Sequence, residues 1–115
     1  NVRTLNALGY TLADRTDRYQ EALSYISRAY AMKPDDPAII DSMGWVQFRL
    51  GNLEEARQYL QQAWDQTRDS EIGAHLGEVL WVQGEQSAAR AIWKSARELS
   101  PDNPVLQETM NRLDP

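Results

Sequence analysis

Between Ile40 and Trp64 the apolar residues fall at helical spacing: Ile40, Met43, Val46 and Leu50, then Leu53, Ala56, Leu60 and Trp64. The stripe breaks at Gly51-Asn52, so the segment reads as two amphipathic helices joined by a short turn. Gly51 suits the left-handed conformation that closes a helix. Asn52, with Glu55 three residues on, makes a capping-box pattern for the next helix. A lone hairpin of this length buries too little apolar surface to stand alone and needs neighbours built like itself. Continued along the chain, the periodicity predicts helices over 3–14, 18–32, 37–50, 53–66, 70–83, 86–99 and 104–113. Asp36, Asp69 and Asn103 occupy equivalent N-cap positions, and Pro37 and Pro104 follow where a missing N–H costs nothing. The last helix has Leu106, Met110 and Leu113 on one face and polar residues elsewhere, the pattern of a terminal cap.

The hairpin recurs. Gly9, Gly44 and Gly77 are 35 and 33 residues apart; Ala22, Ala56 and Ala89 are 34 and 33 apart, as are Ala29, Ala63 and Ala96. A period near 34 is the mark of a helical repeat array. Small residues at fixed register let two helix backbones approach closely while bulky neighbours fill the remaining space. Two irregularities stand out. The turn Asp14-Arg15-Thr16-Asp17 carries one extra residue where the other turns hold Gly51 and Gly84, and the connection Gln66-Thr67-Arg68 is one residue short.

Leu8-Gly9, Ala22, Ile26, Ala29 and Pro34, then Met43-Gly44, Ala56, Leu60 and Ala63, then Leu76-Gly77, Ala89, Trp93, Ala96 and Pro101, follow one template. The pattern resembles the tetratricopeptide repeat, with departures at Gln47 and Gly73, where the template has aromatic residues. The resemblance implies an all-α, right-handed α-solenoid of three helix–turn–helix repeats (2–36, 37–69 and 70–103) and a capping helix at 104–113. It also implies a concave groove lined by the first helix of each repeat: Asn6, Tyr10, Ala13, Asp14, Asp41, Trp45, Phe48, Arg49, Ala74, Glu78, Trp81 and Val82. Chaperone-binding members carry a clamp of Lys, Asn and Arg for a terminal carboxylate at such places. Here Tyr10, Trp45, Phe48 and Trp81 stand there with Asp41 and Glu78, and only Asn6 and Arg49 remain of a clamp. The implied groove is aromatic and mildly acidic, suited to a protein segment that is apolar or aromatic with some basic character. Phe48 and Trp81 read equally well as packing residues. Trp45 stands where the family has a small polar residue, so it is expected to be partly exposed and to serve as a binding hot spot.

Composition narrows the chemistry. There is no Cys, and the single histidine, His75, has only Glu71 and Glu78 at helical spacing, so it reads as a surface or groove residue rather than a catalytic base. The pairs Asp35-Asp36 and Glu54-Glu55 sit at helix starts, where negative charge favours the dipole. No phosphate-cradling glycine loop occurs. The expectation is a chain that is not an enzyme, with no catalytic residues, no metal and no cofactor. A net charge of −5 with scattered arginines argues against nucleic acid, and no run approaches the ~18 apolar residues of a membrane span. Arg90, Lys94 and Arg97 share one helix face, read as a solvated convex surface. The chain opens on Asn1 inside helical sequence with no initiating Met. It is therefore expected to be a fragment of a longer solenoid, with Leu5, Leu8 and Leu12 partly uncovered and able to drive self-association.

The segments DSMGWVQFRLG, AHLGEVLWVQG and SPDNPVL are also similar to the C-terminal repeats of large exported proteobacterial tetratricopeptide lipoproteins. That resemblance implies a bacterial protein on the periplasmic side of the outer membrane, with the cytoplasm as alternative. It further implies an adaptor that brings substrates to a periplasmic protease. The sequence thus supports an interaction scaffold. The alternative is a structural or self-association end of a longer solenoid whose partners bind elsewhere.

Overall fold

A computed structural model describes all residues 1–115. It contains seven α-helices and no strand: α1 (Val2–Arg15), α2 (Tyr19–Met32), α3 (Pro37–Arg49), α4 (Leu53–Gln66), α5 (Ser70–Val82), α6 (Gln86–Leu99) and α7 (Pro104–Leu113). Every boundary lies within one residue of the one predicted from apolar periodicity. The chain forms two compact units, residues 1–63 and 64–115. In the first, α1 packs on α2 and α3, and α2 on α3; in the second, α5 packs on α6 and α7, and α6 on α7.

The helix starts are fixed by the expected side chains. Asp36 Oδ1 accepts from the Ala38 N–H at 2.9 Å. Asp69 Oδ1 accepts from Glu71 at 2.9 Å and Ile72 at 3.3 Å, and Asn103 Oδ1 accepts from Leu106 at 3.0 Å. Each satisfies an otherwise orphaned backbone donor. The ends of α3 and α5 are built alike. Gly51 (φ 88°) and Gly84 (φ 87°) adopt the left-handed conformation. The Gly51 N–H then donates to Phe48 O and the Asn52 N–H to Gln47 O, while Gly84 donates to Trp81 O and Glu85 to Leu80 O. Both are Schellman closures. The longer turn after α1 has no glycine and uses a hydroxyl instead. Thr16 Oγ1 donates to Leu12 O at 2.6 Å and accepts from the Arg18 N–H at 3.0 Å, which accounts for the extra residue.

The recurring glycines are contact points between paired helices. A Cβ on Gly9 would lie 2.5 Å from Ile26 Cγ1, and one on Gly44 would lie 2.7 Å from Leu60 Cγ and 3.2 Å from Ala56 O. At Gly77 it would fall inside the indole of Trp93. Ile26, Leu60 and Trp93 are essentially buried, so the space made by each missing side chain is filled by the large residue opposite. Gly73 has a related cause: its place is taken by the Trp64 ring, 2.9 Å from where a Cβ would stand. The core of the first unit gathers Leu12, Ala13, Ala22, Ile26, Met43, Trp45 and Val46. That of the second includes Leu76, Val79, Leu80, Trp93 and, from α7, Leu106.

Gly44→Leu should force α3 and α4 apart, with overpacking costing roughly 1–3 kcal/mol or more. Gly51→Ala meets nothing within 4 Å, so it should cost only the positive-φ strain, about 1 kcal/mol. Urea denaturation of the two variants at unchanged m-value checks the difference; equal losses would contradict the packing role of Gly44.

Candidate functional site

The first unit brings Tyr10 and Asp14 of α1 together with Trp45 and Phe48 of α3, while Arg49 of α3 meets Tyr19 of α2. Their roles differ from the expectation. Trp45 is only 5% exposed and belongs to the core cluster. Its Nε1–H donates to Asp14 Oδ1 at 3.2 Å, and its ring lies 5.0 Å from that of Phe48, tilted by 30°. The expected partly exposed hot spot is therefore corrected: a buried indole with its N–H satisfied is a packing residue. The reason is local. On α3 the whole run Ile39–Val46 is buried, so the helix is covered on nearly all sides and position 45 has no open flank. Asp41 is buried as well, at 6% exposure, so it does not present its charge to a passing segment. The acidic side chain at this surface is instead Asp14, which is exposed and tied to Trp45.

Tyr10 and Phe48 are the half-exposed aromatics here, and both pack against the cluster that contains Trp45. Arg49 closes one end. Its Nη2 donates to Tyr19 Oη at 3.1 Å, and its guanidinium stands 5.3 Å from the Tyr19 ring centroid. Arg49 Nε and Asn6 Oδ1 are buried without a protein hydrogen-bond partner, as is Trp64 Nε1 away from this face. Asn6 also lines a cleft of about 230 Å³ with Val2, Arg3, Lys33, Asp36, Ala38 and Ile39.

In the second unit the expected site residues have other partners. Glu78 is 7% exposed and accepts a two-pronged bond from Arg112 of α7, Nη2 to Oε1 at 2.7 Å and Nη1 to Oε2 at 3.1 Å. The same guanidinium reaches Glu108 at 2.8 Å through Nε. These two carboxylates hold the Arg112 guanidinium well above its ordinary range, chiefly through hydrogen bonds to Glu78 and then Glu108. Glu78 is thus neutralised from within and ties α7 to α5, which corrects its reading as an acidic groove residue. Arg112 lies 34 residues from Glu78, one repeat period on, and that spacing places the two on equivalent helices without saying that their side chains meet. Trp81 is half-exposed, its ring 5.6 Å from Trp93, with the Arg90 guanidinium 5.3 Å from its centroid. Trp93 in turn donates through Nε1 to Ala74 O at 3.4 Å.

His75 is 2% exposed on α5, not a surface or groove residue. No cluster of three or more His, Cys, Asp or Glu side chains is placed to hold a metal, and no helix is long and apolar enough to cross a membrane. Of the three leucines expected to be uncovered on α1, Leu12 is buried, Leu5 half-buried, and Leu8 exposed at 43%.

A family model described as tetratricopeptide repeat matches residues 15–79. A TPR repeat-containing protein of Pseudomonas aeruginosa is 58% identical over 78 residues, 68% of this chain and 13% of that protein. The chain thus spans only about an eighth of that curated relative. Among solved structures, the first TPR of Spaghetti (RPAP3) bound to an HSP90 peptide superposes with a TM-score of 0.80 at 17% identity, covering 97% of this chain and 89% of the other. PcrH in complex with the chaperone-binding region of PopB gives a TM-score of 0.77 at 19% identity, covering 97% and 90%.

Because its ring is buried, Trp45→Ala should destabilise the first unit by about 3–5 kcal/mol. Asp14→Ala, which leaves the indole N–H without its acceptor, should cost about 1–3 kcal/mol. Thermal and chemical denaturation check both. A Trp45→Ala variant as stable as the parent would contradict the packing role.

Proposed function

Because the chain belongs to the tetratricopeptide repeat family, we propose that it is a non-catalytic interaction module that takes up a segment of a partner protein against α1 and α3, the first helices of its first two repeats. The observation that carries this is the aromatic face of the first unit. Tyr10 and Phe48 are half-exposed and stand on a core that includes Trp45, itself fixed by Asp14. Such a face presents apolar area that loses little side-chain freedom on binding, which favours affinity. Asp14 at its edge favours a Lys or Arg in the segment, next to an apolar or aromatic residue. The fold neighbours named above carry peptide segments, which supports this mode of use. Nothing in the arrangement calls for a nucleophile, base or metal.

The finer role rests on resemblance. We propose that the chain is part of a bacterial periplasmic lipoprotein anchored at the outer membrane, acting there as an adaptor for a protease, with the cytoplasm as the alternative compartment. The similarity to the Pseudomonas aeruginosa protein agrees with a bacterial source. A second reading is favoured by one observation. Leu8 lies exposed beside half-buried Leu5 on α1, so α1 is also suited to pack on further repeats or on a second copy.

One nitrogen-15 NMR experiment separates the two. Peptides selected from a displayed random library are titrated into labelled chain, after a concentration series without peptide. Groove binding predicts shifts at Tyr10, Phe48, Arg49 and the Trp45 indole N–H. Shifts confined to α2 and α6 would overturn it. Concentration-dependent broadening at Leu5 and Leu8, with the Tyr10 and Phe48 signals unmoved by any peptide, would establish the self-association reading instead.

A further inference from the structure

We infer that the cleft between α6 and α7 is a second docking site, made of residues other than those of the aromatic face, and that its ligand is a short acidic segment of a partner protein. Arg90, Lys94 and Arg97 line this cleft of about 360 Å³ together with Trp93, Met110 and Asp114. The spacing of four and three residues puts the three cations on one face of α6, and all three are exposed.

The cleft already shows the chemistry it accepts. Arg90 grips the Asp114 carboxylate with both arms of its fork, Nε to Oδ2 at 2.8 Å and Nη2 to Oδ1 at 3.1 Å, the bidentate geometry that favours carboxylates. The grip holds the Asp114 carboxyl below its ordinary range, first through the hydrogen bonds and then through charge attraction. One carboxylate does not balance three cations. The lining keeps a net charge of +2 in a chain whose net charge is −5. The remaining positive charge belongs to Lys94 and Arg97, beside an apolar floor of half-buried Met110 and the edge of buried Trp93.

That combination selects among anions. A polyanion such as a nucleic acid or an anionic bilayer meets the negative charge of the chain as a whole, which opposes its approach. A short peptide carries few charges and can place one apolar side chain on Met110 with carboxylates on either side, at Lys94 and Arg97. The size of the cleft fits a few side chains rather than a duplex. Asp114 then acts as a competitor carried by the chain itself, holding Arg90 and adding a negative charge at the rim.

Fluorescence anisotropy with a labelled Glu-Glu-Leu-Asp-Glu peptide, against the amide version Gln-Gln-Leu-Asn-Gln, tests this on the 115-residue chain. The acidic peptide should bind, and added salt should weaken it. The charge reversals Lys94→Glu and Arg97→Glu together should weaken it by about tenfold or more with the circular dichroism unchanged, because both side chains are exposed. Asp114→Asn should tighten binding several-fold by releasing Arg90. Equal binding of the amide peptide, indifference to the double reversal, weaker binding by Asp114→Asn, or tighter binding of a short DNA duplex or of phosphatidylglycerol vesicles would each overturn the proposal.

Discussion

Each hairpin depends on a close approach in which one helix has no side chain and the other supplies a large one. At Gly77 the absent Cβ is the space occupied by the Trp93 indole, and at Gly44 and Gly9 it is occupied by Leu60 and Ile26. Because the filling residue is essentially buried in every case, it cannot swing away, so the helix spacing is fixed by packing rather than by hydrogen bonds. The turns only need to be compatible with that spacing. Gly51 and Gly84 achieve this through left-handed closures, and Thr16 through its hydroxyl. The same seam positions the aromatics beyond it: Trp93, seated over Gly77, is the ring on which Trp81 rests.

This constraint divides the aromatic and charged residues of the first helices into two kinds. Trp45, Asp41 and Glu78 are support, buried in the units that hold them. Tyr10 and Phe48 in the first unit, and Trp81 in the second, remain half-exposed on top of that support. For the segment binding proposed for the first unit, a face backed by a buried ring changes little on binding. The charge pairs follow the same division. Arg112 ends in two carboxylates of its own unit and serves the attachment of α7, whereas Lys94 and Arg97 line an open cleft.

The helices, caps and seams were legible in the sequence because each rests on local chemistry or on a repeated spacing. Asp36, Asp69 and Asn103 cap the helices they precede, and Gly44 meets Ala56 and Leu60 as the period of small residues required. The site was legible only in part. Tyr10, Phe48 and Trp81 stand at accessible positions, but Trp45, Asp41 and Glu78, which repeat position assigns to the same faces, are buried. Position within a repeat tells which helix a residue occupies, not how deeply its neighbours cover it. For Trp45 the covering contacts come from α1, with Asp14 31 residues away. For Glu78 they come from α7, where Arg112 stands one period of 34 residues on. The basic face of α6 was visible as spacing alone. That it forms the wall of a cleft, with a carboxylate already held in it, required α7 in place.

In each hairpin a glycine and a large buried residue set the helix spacing as a pair. A double-mutant cycle on Gly77→Ala and Trp93→Leu, followed by urea denaturation, tests it most directly. The two substitutions should couple strongly, by on the order of 1–3 kcal/mol. Gly77→Ala should be harmful when Trp93 is present and nearly neutral once the smaller Leu leaves room for the new Cβ. Additive losses in the double variant would contradict the claim, because the two positions would then contribute to stability independently.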